Sequence, residues 1–214
     1  MVLLGLVVGS MVTVVVSLFR PLPRRAPVVL VVVALFVGMA LRLSAVGQLT
    51  AVAAYLYFIA VGVALTLIDV DCKRLPNVLV LPSYPVILVL LGGAAAWQHD
   101  GAALVRALIG MAVLLGLYLV LALTYPAGMG FGDVKLAGVL GAVLAYLSYA
   151  VLIIGAFAGF VLGAGLGLLL IISGRGSRKS AIPFGPYMIA GALLAIFAAE
   201  PLARGYLRLT TGAS

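Results

Sequence analysis

Charge is what this 214-residue sequence most lacks. Asp, Glu, Lys and Arg make up 8% of it, against 66% hydrophobic residues. A soluble globular domain carries roughly 25% charged residues. So little polar surface cannot solvate a globule of this length, and the solvent that suits the composition is lipid. Cysteine is equally scarce. Cys72 stands alone, so no intrachain disulfide and no zinc-binding cysteine cluster can form. No metal or cofactor is expected. Acids number only five: Asp69, Asp71, Asp100, Asp133 and Glu200.

What is present is a series of long apolar runs. A membrane-spanning helix needs about 20 mostly apolar residues. Eight segments are read, at about 2–18, 27–43, 50–68, 78–97, 103–125, 134–147, 148–172 and 186–199. The expected fold is all-α, a polytopic membrane helix bundle of about eight transmembrane helices forming one domain over 1–214. The join at 147–149 decides the topology, because one merged helix there would reverse everything after it. The N-terminal run has no basic region before it and reads as a retained first helix rather than a cleaved signal peptide.

The net charge of +8 could suggest nucleic acid as a partner. The basic residues argue against it, because they form short clusters between apolar runs, as orientation signals do. With the N-terminus outside, Arg20, Arg24, Arg25, Lys73, Arg74, Lys135, Arg175, Arg178 and Lys179 fall inside. These are nine of the thirteen basic residues. Arg42, Arg106, Arg204 and Arg208 fall near the other face. In the seventh segment Gly155, Gly159, Gly163 and Gly167 recur every four residues, a stripe suited to close helix packing in lipid.

The acids divide into two groups. Asp100, beside the sole histidine His99, reads as a solvated loop residue, and Glu200 as an interfacial terminator. Asp69, Asp71 and Asp133 all fall on the inner face at helix ends. Asp71 has a simple explanation in pairing with Lys73 or Arg74. Asp133 could cap a helix N-terminus, but capping does not account for Gly128, Gly130 and Gly132 before it. Glycine permits positive φ and close backbone approach, and a substrate strand lying there would need that room. Two facing carboxylates share a proton, since like charges a few ångströms apart do not both ionise easily. The ionised member activates water, and the protonated member polarises a peptide carbonyl and later helps the amine depart. This is metal-free aspartic proteolysis.

These motifs resemble a known family. LIDVDCKRLPN (67–77) and GMGFGDVKLAG (128–138) are similar to the two aspartate motifs of type IV prepilin peptidases, the second being of the GxGD type also found in presenilin-like proteases. AIPFGPYMIAG (181–191) resembles the family's stretch before the last helix, and GLVVGSMVTVVVSLFR (5–20) its first helix. The resemblance implies catalytic aspartates at Asp69 and Asp133. It selects Asp69 over Asp71 because the family's catalytic acid lies seven residues before a proline, here Pro76. Gly130 and Gly132 match the GxGD glycines. Lys135 matches the following lysine, which orients the loop, binds lipid phosphate, or simply snorkels at the interface.

The resemblance further implies a bacterial plasma-membrane enzyme with its site toward the cytoplasm. Its substrates are prepilins, pseudopilins or tight-adherence pilins with a basic leader and a hydrophobic helix. Many members carry a two-CxxC zinc insert after the first helix, linked to N-methylation. Here that loop is about RPLPRRAP, so a peptidase without methyltransferase activity is expected. The alternatives are a small proton-coupled transporter using the same acids, which predicts mid-helix acids and inverted repeats, and a non-catalytic scaffold.

Overall fold

In lipid the backbone has no water to bond, so each segment must satisfy its own amides, and a helix does this within one segment. In the computed structural model the described residues are 1–19, 26–125, 129–173 and 183–211, with backbone alone for 170, 171 and 199–211. They form helices α1 (Val2–Ser17), α2 (Ala26–Ala45), α3 (Val52–Cys72) and α4 (Asn77–Gln98), followed by α5 (Gly101–Thr124), α6 (Phe131–Leu147), α7 (Tyr149–Ile172) and α8 (Gly185–Thr211). A 3₁₀ turn, Leu49–Ala51, leads into α3. No strand occurs among the described residues. Five of the helices are long and apolar enough to cross a membrane: α2, α3 with its 3₁₀ turn, α4, α5 and α7. The chain is a multi-pass membrane protein.

α6 is the axis of the bundle. It packs on α5 most extensively, and also on α4, α7, α8 and α3. Nearly every side chain from Asp133 to Tyr146 is buried, as expected of a helix that is apolar around its whole circumference. Its composition makes this possible, because Gly138, Gly141, Ala137, Ala142 and Ala145 let neighbours approach closely. At the α5 crossing a Cβ on Gly141 would collide with the carbonyl oxygen of Gly110 and lie 2.7 Å from its carbon. Side-chain donors on other helices also reach α6. Tyr55 of α3 donates to the Val143 carbonyl at 2.8 Å, and Tyr84 of α4 to that of Lys135 at 2.6 Å.

The join between α6 and α7 is a break, not a bend. Ser148 is fully extended at φ −171°, ψ 161°, and its hydroxyl accepts from the Val151 amide at 3.2 Å. α6 and α7 are therefore separate elements. α8 continues to Thr211, well past the apolar segment expected to end at residue 199. The α7 glycine stripe packs on α8, where a Cβ on Gly159 would lie 3.2 Å from Met188 Cα. At the opposite end of the bundle from Asp69, Asp100 is an N-cap of α5 rather than merely a solvated loop residue. Its carboxylate accepts from the Ala103 amide at 3.0 Å and lies 3.9 Å from Arg106. Arg20, Arg24, Arg25, Arg175, Arg178 and Lys179, and the side chains of Glu200, Arg204 and Arg208, lie outside the described residues.

The α5–α6 crossing has no room for even one methyl group, and backbone atoms cannot move aside as a side chain can. Gly141→Ala should destabilise the protein by about 1–3 kcal/mol in thermal denaturation in detergent. Gly116→Ala on α5, where a Cβ meets nothing within 4 Å, should leave the transition unchanged. Equal stability of the two variants would contradict this packing.

Candidate active site

Asp69 lies in the last turn of α3 and Asp133 in the first turn of α6. Both are buried, at 4% and 9% exposure. They are close enough to interact electrostatically. Local helix physics explains one of them. Asp133 is the third residue of α6 after the N-cap Gly130, and its carboxylate turns back to the Gly130 amide, as an acid does in a capping box. Asp69 has no such reason. An acid in the last turn faces the negative end of the helix macrodipole and is disfavoured there.

Asp69 is held from elsewhere in the sequence. The amide of Gly185, the first residue of α8, donates to its Oδ2 at 3.2 Å. A Cβ on Gly185 would lie 2.9 Å from that oxygen and 3.3 Å from Leu75 Cδ2, so a side chain there would displace the carboxylate or Leu75. Leu75 comes from a tight reversal. α3 ends at Lys73 in the left-handed region, φ 48°, with its amide on the Asp69 carbonyl at 2.9 Å. Pro76, extended at φ −68°, ψ 127°, then starts α4. Leu75 is thereby inserted between Gly132 and Gly185.

The expected glycine roles are corrected by this geometry. Gly130 has φ −77°, ψ 145°, a conformation any residue adopts. Gly132 is needed for close approach, but by Leu75, whose Cβ would lie 3.0 Å from a Cβ there. At Gly132 the space is taken by Leu75. Gly128 lies outside the described residues. Lys135 has a partner within the protein. Its ammonium donates to Asn77 Oδ1 at 2.9 Å and ties the start of α6 to the start of α4. Asp71 is exposed, as are Cys72, Lys73 and Arg74. No cluster of three or more His, Cys, Asp or Glu that could hold a metal occurs among the described residues.

Sequence reasoning missed Gly185, Leu75 and Asn77 as site residues, and also Tyr118 of α5, which interacts electrostatically with Asp133. Gly185 stood within a stretch singled out by resemblance. Nothing in its own spacing indicated that its amide reaches an acid 116 residues away.

The arrangement offers two buried carboxylates with no ion pair to either of them among the described residues. Such a pair can hold one proton and a water between them. The sequence profile of the type IV leader peptidase family matches residues 56–168, a span containing both acids. The chain is 36% identical over 191 residues to a prepilin leader peptidase/N-methyltransferase of Aeromonas hydrophila, covering 87% of this chain and 63% of the relative. A protein of the same description from Aeromonas salmonicida (strain A449) is 37% identical over 149 residues, 68% of this chain and 49% of the relative. One from Bacillus subtilis (strain 168) is 27% identical over 157 residues, 72% and 59% respectively. The chain thus spans about half to two-thirds of the length of these relatives. No solved structure matches.

The juxtaposition of the acids is open to a chemical test. With Cys72→Ser as background, Asp69→Cys combined with Asp133→Cys should cross-link readily under mild oxidation or with a short bifunctional thiol reagent. Asp100→Cys with Asp133→Cys should not, because α4, at 22 residues, holds Asp100 roughly 33 Å from the α3–α4 reversal. Cross-linking of the second pair and not the first would overturn the helix arrangement.

Proposed function

This chain belongs to the type IV leader peptidase family, and we propose that it is a membrane aspartic endopeptidase that removes the leader from prepilins or prepilin-like proteins. The single observation that carries the reading is the meeting of Asp69 and Asp133 at the ends of α3 and α6, both buried and each held by a glycine amide. The relatives carry the peptidase in their names, and nothing comparable supports the transporter reading.

In this proposal the two acids share one proton. The ionised carboxylate takes a proton from a water between them as its oxygen attacks the scissile carbonyl carbon. The protonated carboxyl gives its proton to the carbonyl oxygen, which becomes a hydroxyl of the tetrahedral intermediate. Collapse restores the carbonyl: one hydroxyl returns its proton to the carboxylate that protonated the carbonyl oxygen, and the peptide nitrogen departs with the proton first taken from water, so the pair again holds one proton. The Gly185 amide on Asp69 fixes the orientation of one carboxylate. The Gly130 amide does the same for Asp133, so neither acid reorganises far during the reaction. Leu75 closes one side of the site to water.

The site is assigned to the cytoplasmic face of the bacterial plasma membrane, from the basic clusters that the sequence places between the apolar runs on that side. The apolar helix of the substrate is taken to lie among the peptidase helices, with its basic leader on the same face as the acids. The membrane-embedded peptidase is treated as one domain. Peptidase activity alone is proposed. The sequence from residue 18 to residue 25 holds no cysteine, and methyl transfer is read as absent from this chain.

Cleavage of a co-expressed prepilin in membranes tests this reading. Asp69→Asn and Asp133→Asn should each reduce cleavage by at least ~100-fold at equal protein level, since each removes a general acid or base. Asp71→Asn should keep most of the activity. A chelator should leave the rate unchanged, and mass spectrometry should find the new N-terminal amine unmethylated. Wild-type cleavage by either aspartate variant would end the dyad assignment, and loss of activity in chelator would point to a metal enzyme.

A further inference from the structure

The amide that holds Asp69 needs an anchor of its own, because Gly185 has no side chain to fix it. The residue before it supplies one. Phe184 stacks at 5.4 Å from the Phe160 ring of α7 and 6.2 Å from the Tyr118 ring of α5, while Tyr118 and Phe160 stand 5.2 Å apart. All three pairs are tilted, at interplanar angles of 32°, 42° and 46°, between stacked and edge-to-face, and aromatic pairs stabilise by about 0.5–1.5 kcal/mol beyond their area. Tyr118 is 1% exposed and interacts electrostatically with Asp133. The cluster therefore bears on both acids: Tyr118 lies within electrostatic range of Asp133, and Phe184 is bonded directly to the residue whose amide sits on Asp69.

The glycine stripe of α7 makes room for this cluster. A Cβ on Gly163 would lie 2.7 Å from Phe184 Cε2 and 3.1 Å from its Cδ2. Gly165, two residues on, faces open space. Of these two glycines on the same helix, one seats the ring and the other does not.

We infer that Phe184, seated on Gly163 between Phe160 and Tyr118, is a positioning residue that sets the Gly185 amide on Asp69 and so fixes one carboxylate relative to the other. The inference rests on the peptidase reading and deepens it. Phe184 acts through Gly185 and Asp69 and does not act on the substrate itself. Removing the ring lets the start of α8 shift. A displacement of about 1 Å at reacting groups costs up to ~100-fold in rate, so the effect falls on kcat.

The experiment is steady-state cleavage of a purified prepilin in detergent, with variants matched for folded protein by thermal denaturation. Phe184→Leu should lower kcat about tenfold or more with KM unchanged, and Phe184→Tyr, which keeps the ring, should recover most of that loss. Gly163→Ala should lower kcat in the same way, and the double variant Gly163→Ala with Phe184→Leu should be no worse than either single one, because the smaller side chain yields the space. Gly165→Ala should match wild type. The inference is overturned if folded Phe184→Leu has wild-type kcat, if its loss lies in KM alone, or if Gly163→Ala and Gly165→Ala behave alike. Asp69→Asn and Asp133→Asn in the same assay separate the two failures. If they are inactive while Phe184→Leu is fully active, only the positioning role fails. If they cleave normally, the peptidase dyad itself fails.

Discussion

Two buried carboxylates within electrostatic range of one another, in a protein with only five acids, form the constraint around which the rest of the structure is arranged. An ionised acid in an apolar setting costs several kcal/mol, and a second like charge nearby adds to the cost. The chain places the pair at helix ends on one side of the bundle, where backbone amides are free to approach. Gly130 and Gly185 supply one amide each. The acids thus survive burial with no ion pair to either of them among the described residues, and remain chemically available. A salt-bridged acid would be more stable and less useful.

That arrangement requires close packing elsewhere. α6, which carries Asp133 in its first turn, can run through the middle of the bundle only because it is narrow, with glycine and alanine where it crosses α5. The Gly185 amide reaches Asp69 only because the start of α8 lies tightly against α7. The Leu75 side chain fits between Gly132 and Gly185 only because both lack a Cβ. Small residues, which in a soluble helix would weaken the element, here decide where the acids can go. The glycines of the GxGD stretch serve the same end. Gly132 admits the protein's own α3–α4 reversal, and Gly130 presents an amide.

Much of this was legible in the sequence. Apolar runs separated by short polar breaks announced the helices, since the requirement to satisfy the backbone in lipid leaves few other structures. The two acids stood out because acids are so rare in the chain, and their family resemblance distinguished Asp69 from Asp71. Less legible was everything that depends on distance across the bundle. The Gly185 amide, the inserted Leu75 and the Lys135–Asn77 bond join elements far apart in sequence, and no periodicity encodes them. Asp100 was misread because capping geometry is a property of the turn, which depends on His99 adopting a positive φ of 54°. The position of α8's end was missed because a helix can outlast its apolar segment.

The central claim is that Asp69 and Asp133 act as one proton-sharing unit. The most direct measurement is the affinity of a prepilin-derived peptide in which a hydroxyl-bearing tetrahedral carbon replaces the scissile carbonyl, compared across wild type, Asp69→Asn, Asp133→Asn and the double variant. A unit predicts strong coupling: each single variant loses most of the binding, and the double variant loses little more. Additive losses, or unchanged binding in either single variant, would contradict it.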